Sequence, residues 1–204
     1  MAESAVVSAK HRKKRKQIYQ AALKILAKKG FHNTKMQDVA EKAGLGKGTL
    51  YWYFKSKEEL FQFVIRTGFE EFNQSVIDAI DIVDSPLDKL KAAFEESLQF
   101  YFENKDHIWI LTSFWSISGL KKINSKLLED VNEEFTTYRH IVAGVLSNAA
   151  RLGFISKGNS VKRASHFMAL VDGLLVQRVL GMYAEDYQKV QGAVYQEYVK
   201  GLKL

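Results

Sequence analysis

The chain contains no cysteine. Disulfides, thiolate zinc sites and thiol nucleophiles are therefore excluded outright, and the lack of disulfides suits a reducing compartment. Proline is almost as scarce, with Pro86 the single example in 204 residues. Long helices tolerate that scarcity, whereas turn-rich β folds use more proline. Strand-like alternation of apolar and polar residues is rare. No apolar run is long enough to span a bilayer, and none follows the lysine-rich start as it would in a signal peptide. A soluble, cytoplasmic protein with no membrane partner is expected. The hydrophobic fraction of 47% supplies a real core and argues against general disorder.

Acidic residues are what the first third lacks. Residues 1–66 carry 15 Lys and Arg against 5 Asp and Glu, while the remainder carries 15 against 18. The net charge of +7 thus belongs to the N-terminal part. A polyanion is the natural partner of such a segment.

Punctuation along the chain predicts helices throughout. Residues 1–9 read as a flexible tail. "KHRKKRK" at 10–16 leads into a helix with Ile18, Ala22, Ile25 and Leu26 on one stripe, stopped by Gly30. "TKMQDVAEKAG" offers a capping box of Thr34 with Gln37 and a short apolar face of Val39, Ala40 and Ala43. "KGTLYWYF" follows after a short turn. Ser56 with Glu59 repeats the capping signal and opens a long helix over 57–82. Ser85 and Pro86 start the next, to about Phe102. Further helices are expected in the aromatic run after "ENKD", over 125–152, over 161–182 and over 185–202.

The stretch 36–54 reads as two helices joined by a tight turn. Ala40 is small enough for a close crossing, Gly44 suits a positive φ, and Leu50 and Phe54, at i and i+4, anchor the second helix. Lys47 and Tyr51 share the opposite face, with Gly48 and Trp52 beside them. A glycine there lets the helix approach DNA closely. Lys47 reaches a guanine edge or a phosphate, and the hydroxyls of Tyr51 and Tyr53 suit phosphate oxygens.

These residues, in this order and spacing, resemble the DNA-binding motif of the TetR family of bacterial transcriptional regulators, over about residues 10–65. The resemblance implies an all-α homodimer: a three-helix DNA-binding domain with a helix-turn-helix over 10–56, then a larger helical ligand-binding and dimerisation domain over 57–204 entered by a connecting helix at 57–82. It implies that Thr34 caps the first reading helix and touches phosphate. Lys47 and Gly48 approach bases, and Thr49 lies at a base or phosphate. Tyr51 and Tyr53 hold phosphates with Trp52 between them, and Lys57 clamps phosphate at the next helix start. Gly46 departs from the family, which often has serine there, and so removes a hydroxyl cap. The implied partners are a double-stranded inverted-repeat operator and a small-molecule effector.

Other chemistries find no support. "GLGKGT" lacks the glycine spacing of a phosphate loop and no strand precedes it. The histidines (His11, His32, His107, His140 and His166) are scattered without metal-ligand spacing, and no Gly-x-Ser-x-Gly elbow occurs. No catalytic residue, metal or cofactor is expected.

The C-terminal part is aromatic and apolar. Phe94, Leu98, Tyr101 and Phe102 share one face of a helix, and Trp109, Phe114 and Trp115 crowd the next. An apolar pocket between helices is expected, lined by Tyr101, Trp109, Trp115, Arg139 and His140, for a largely apolar or aromatic ligand. "RASHFMALVDGLLVQRVLGMY" is apolar on nearly all sides and so needs cover around its girth. Phe167, Leu170, Val171, Leu174 and Leu175 are expected to pair across a two-fold axis with the last helix, including Tyr195 and Val199. This tail is similar to that of the BetI-type subgroup, through hydrophobic patterning that names no ligand.

Overall fold

The computed structural model describes residues 2–108, 125–182 and 186–203, and every regular element among them is a helix. α1 spans Ala2–Asn33, α2 Met36–Lys42, α3 Lys47–Tyr53, α4 Lys57–Asp81 and α5 Pro86–Glu103. The chain is helical again at 105–108. α6 covers Ser125–Arg151, α7 Ser160–Val179 and α8 Tyr187–Lys203. The stretch expected as a loose tail is helical from Ala2 onward; it holds alanines and neither glycine nor proline, so nothing local interrupts the helix. α1 breaks where its sequence predicts, at Gly30, whose φ of 74° is open to glycine at little cost.

The chain divides into two compact units. Residues 1–70 and 104–131 form the first, and 71–103 and 132–204 the second. In the first unit, Ile18, Ala22 and Leu26 of α1 meet a core shared with Val39 and Ala40 of α2, Leu50 of α3, Phe54, and Leu60, Phe61, Val64 and Ile65 of α4; all are buried. The returning segment is fastened to α1 by a hydrogen bond of 2.9 Å between the Tyr19 hydroxyl and His107 Nε2, both buried. The start of α4 forms half of the expected box: Ser56 Oγ accepts from the Glu59 N–H at 3.1 Å, while the Glu59 carboxylate accepts from the N–H of Lys55, one residue before Ser56, at 2.7 Å.

The second unit is built on aromatic contacts. Phe94 of α5 meets Phe167 of α7 at 5.6 Å between ring centroids and Tyr195 of α8 at 5.2 Å. Phe72 meets Phe100, Tyr101 and Tyr138 at 5.5, 5.2 and 4.9 Å. Such pairs add about 0.5–1.5 kcal/mol each beyond burial. The Tyr138 hydroxyl is satisfied by Ser97 Oγ at 2.5 Å. Asn159 caps α7, its side chain accepting from the Lys162 N–H at 2.9 Å.

Candidate nucleic-acid interface

The geometry of α2, the turn and α3 follows from a few residues. At the end of α2 the Ala43 N–H bonds the Val39 carbonyl at 2.9 Å, and the Leu45 N–H reaches back to Ala40 at 2.9 Å across Gly44, which has φ 63°. That closure needs a left-handed residue, which glycine supplies. Gln17 of α1 fixes the turn from behind, its Nε2 donating to the Ala43 carbonyl at 2.6 Å. α3 starts after Gly46 without a side-chain cap and ends at Phe54, which is extended. Leu50, fully buried, and Phe54, 2% exposed, hold it to the core.

The other side of α3 faces outward. Lys47, Gly48, Thr49, Tyr51 and Trp52 are exposed and Tyr53 is half-buried. Trp52 is 71% exposed, a large cost for an indole unless a partner covers it. The Lys47 ammonium lies 5.9 Å from the Tyr51 ring, a cation–π spacing across one helical turn. A Cβ built on Gly48 would meet nothing within 4 Å, so no packing within the chain requires glycine there. The His11 imidazole of α1 packs on Trp52 at 5.5 Å and Tyr53 at 4.8 Å between centroids.

Two residues sit otherwise than the motif implies. α2 is capped by Lys35 rather than Thr34, with the Lys35 N–H on Asp38 Oδ2 at 3.4 Å. Thr34 is buried, and its hydroxyl donates to the Gly30 carbonyl at 2.7 Å, which satisfies a group exposed by the break in α1. Gln37 bonds Glu41 instead of closing a box. Lys57 donates to the carbonyls of Phe31 and His32 at 2.9 and 3.2 Å with its ammonium over the Phe31 ring, so two of its three N–H groups cap the end of α1. Lys29 beside Asp38, at 2.7 Å, holds that carboxyl below its usual range.

Comparison with known proteins agrees with this geometry. The family model for bacterial regulatory proteins of the tetR family matches residues 18–64. A fatty acid metabolism regulator protein of Bacillus subtilis is 27% identical over 94% of this chain and 96% of its own length. The structure of FadR from Bacillus subtilis in complex with stearoyl-CoA superposes with a TM-score of 0.76 at 22% identity, covering 91% of this chain and 97% of that one. A TetR transcription regulator from Haloarcula marismortui superposes at 0.80 with 16% identity, over 95% of this chain and 100% of that one. Residues 18–64 therefore carry the DNA-binding domain of the tetR family. The chain is a transcriptional regulator, with an N-terminal helix-turn-helix and a larger helical C-terminal part.

The described residues among those expected to line a ligand pocket differ in burial. Tyr101 is buried, Arg139 is half-exposed and His140 exposed; Trp109 and Trp115 lie outside the described residues. From α6, Tyr138 joins the aromatic cluster, one position before Arg139. Its spacing from the buried Val131, Val142 and Leu146 was the signal that could have found it. Burial, with Asp172 of α7 nearby, pushes the phenols of Tyr101 and Tyr138 well above their ordinary range, against the lowering effect of Ser97 on Tyr138. Burial raises Asp172 itself to about 6. A cavity of about 670 Å³ also opens in the second unit, with Ile82, Phe94, Gln99, Arg178, Gln191 and Tyr195 on its walls. Of the expected pocket residues, Tyr101, Arg139 and His140 are described, and they do not line it. Its polar rows, such as Lys91, Glu95 and Gln99 at helical spacing, read in sequence as a solvated face.

The residues expected at a two-fold axis divide as well. Phe167, Val171, Leu174 and Leu175 are buried within the single chain. α5 and α8 cover α7 on one side. Leu170 and Val199 are half-exposed. Tyr195 is engaged, its hydroxyl donating to the Leu87 carbonyl at 3.1 Å. The apolar residues left outward at the end of α7 are Val176, Val179 and Leu180, exposed by 36, 47 and 70%. Among the described residues no three His, Asp or Glu side chains are placed to hold a metal, and no helix is long and apolar enough to cross a membrane.

Proposed function

We propose that this chain is a homodimeric, cytoplasmic repressor that reads an inverted-repeat operator through α3 and is released by a fatty-acyl thioester. The observation that carries the first part is the outer face of α3. Lys47, Gly48, Thr49, Tyr51 and Trp52 are all left outward while Leu50 and Phe54 are spent on the core. The major groove admits one α-helix. There Lys47 meets base acceptors, Gly48 lets the backbone close in, and Thr49, Tyr51 and Tyr53 hold sugar–phosphate oxygens. Two copies related by a two-fold axis place two such helices about 34–36 Å apart, which calls for an inverted repeat. A second copy on the outer side of α7 covers Val176 and Leu180.

The ligand class is supported by the full-length likeness to a fatty acid metabolism regulator and by the aromatic interior of the second unit, which suits an acyl chain. Coupling is reciprocal: whatever factor the ligand takes from DNA affinity, DNA takes from ligand affinity.

The test is a titration of the purified chain against the duplex it selects from a randomised library, at near-physiological salt with excess competitor. A discrete complex is expected, weakened by more than about tenfold in Lys47→Ala and Tyr51→Ala. Stearoyl-CoA should dissociate it and free coenzyme A should not. Equal binding of wild type and variants, removed alike by competitor, would sink the operator reading. A complex indifferent to stearoyl-CoA would sink the ligand class alone.

A further inference from the structure

The basic run of α1 is not explained by the reading helix. Residues 12–16 are all Arg or Lys, and the structure sorts them. The Arg15 guanidinium lies over Phe63 at 4.5 Å and Phe54 at 5.7 Å, inside the first unit. Lys14 bonds Gln17, the side chain that fixes the turn. Arg12, Lys13 and Lys16 are exposed and make no hydrogen bond or ion pair among the described residues. Three acidic groups of the unit are used elsewhere: Asp38 on Lys29, Glu41 on Gln37, and Glu59 at the start of α4. The three cations therefore repel one another on a single helix surface with no ion pair of their own among the described residues, a cost that a polyanion relieves.

Their place is fixed by the neighbouring residue. His11 packs on Trp52 and Tyr53, so the run starts beside the end of the reading helix. α1 continues from there as helix back to Ala2, instead of ending at the edge of the domain. Arg12 and Lys16 stand one turn apart, about 6 Å along the axis. A DNA strand presents a charge about every 3.4 Å of its axis.

We infer that Arg12, Lys13 and Lys16 form a second DNA-contact surface, a helical arm that binds the phosphate backbone flanking each operator half-site while α3 reads the bases. The inference rests on the operator reading above. His11 acts as the positioning residue that docks the arm against α3. The arm carries no sequence information; it adds affinity and salt dependence and lengthens the footprint.

The experiment compares wild type with the triple variant Arg12→Gln, Lys13→Gln, Lys16→Gln. The probes are the library-selected duplex cut at the operator edge and the same duplex extended by about one helical turn on each side. Affinity is measured from about 50 to 200 mM salt. On the extended duplex the variant should bind about ten- to a hundredfold more weakly, and its log–log salt slope should fall by about one for each phosphate no longer neutralised. The preference for operator over scrambled sequence should persist, and the gap should shrink on the short duplex. Circular dichroism should match wild type, since the three side chains are exposed. His11→Ala, which keeps all three cations, should weaken binding to the extended duplex more than to the short one. An unchanged slope in the triple variant, with its specific complex intact, overturns the arm. So does an unchanged slope joined to abolished binding of anionic phospholipid vesicles, which would assign the cations to a membrane surface. If wild type itself forms no sequence-preferring complex, the operator reading fails and the arm with it.

Discussion

Gly48 separates packing from function better than any other residue of α3. A methyl group there meets nothing in the chain. Glycine inside a helix costs about 1 kcal/mol against alanine. Gly48→Ala should therefore leave the melting temperature unchanged or raised, while operator affinity falls by about tenfold or more as the helix is held off the groove. A scan by differential calorimetry beside an anisotropy titration reads both. Equal affinity with raised stability would show that the backbone at Gly48 does not approach DNA. Residue roles were legible in sequence where a side chain had one job. Leu50 and Phe54 had to be inside, and Lys47 and Tyr51 outside. Thr34 and Lys57 were less legible, because their partners are the Gly30, Phe31 and His32 carbonyls. Those carbonyls become available only once α1 has broken and α4 has folded back onto its end.

Among elements, α7 shows what patterning does and does not specify. Its near-uniform apolarity demanded cover, and the structure meets that demand on one side with α5 and α8. Sequence alone could not divide intrachain from interchain cover, since both bury the same residue types. The same helix carries Asp172 against the Tyr101 and Tyr138 cluster, and burial raises its carboxyl to about 6 from an ordinary 3.8. The folded-state value is the higher one, so folding favours the protonated form. The penalty is absent below about pH 4, grows as pH rises through about 6, and is full above that. Asp172→Asn should stabilise the protein by about 2 kcal/mol at pH 7.5, after allowance for solvent screening of a half-buried group. It should do nothing at pH 4. Urea melts at the two pH values check this; an equal effect at both would assign the change to packing instead of charge.

For the whole molecule, the order of the described helices and the position of the reading motif were legible from caps, glycines and the single proline; the helix expected in the aromatic run after "ENKD" lies outside the described residues. The compact units were less so. The first takes the start of α4 and also residues 104–131, which return to it after a long excursion. Assembly is tested at the outer end of α7. Wild type should sediment at about twice its 23.3 kDa chain mass. Val176→Glu with Leu180→Glu should sediment as a monomer and form no operator complex. Both positions are exposed in the single chain, so the fold should survive. A double variant that stays dimeric places the two-fold axis elsewhere.

The hydrogen bond between Tyr19 and His107 joins residues 88 positions apart inside one unit. The helix-turn-helix is therefore not part of a detachable head. A gene fragment ending at Glu70 would encode α2 and α3 and still leave the Tyr19 phenol, which is 2% exposed in the whole chain, without His107. Grafting that fragment onto another effector domain transfers the motif but not the buried partner that completes its interior. A fragment that keeps this unit's buried hydrogen bond has to carry His107 along with residues 1–70.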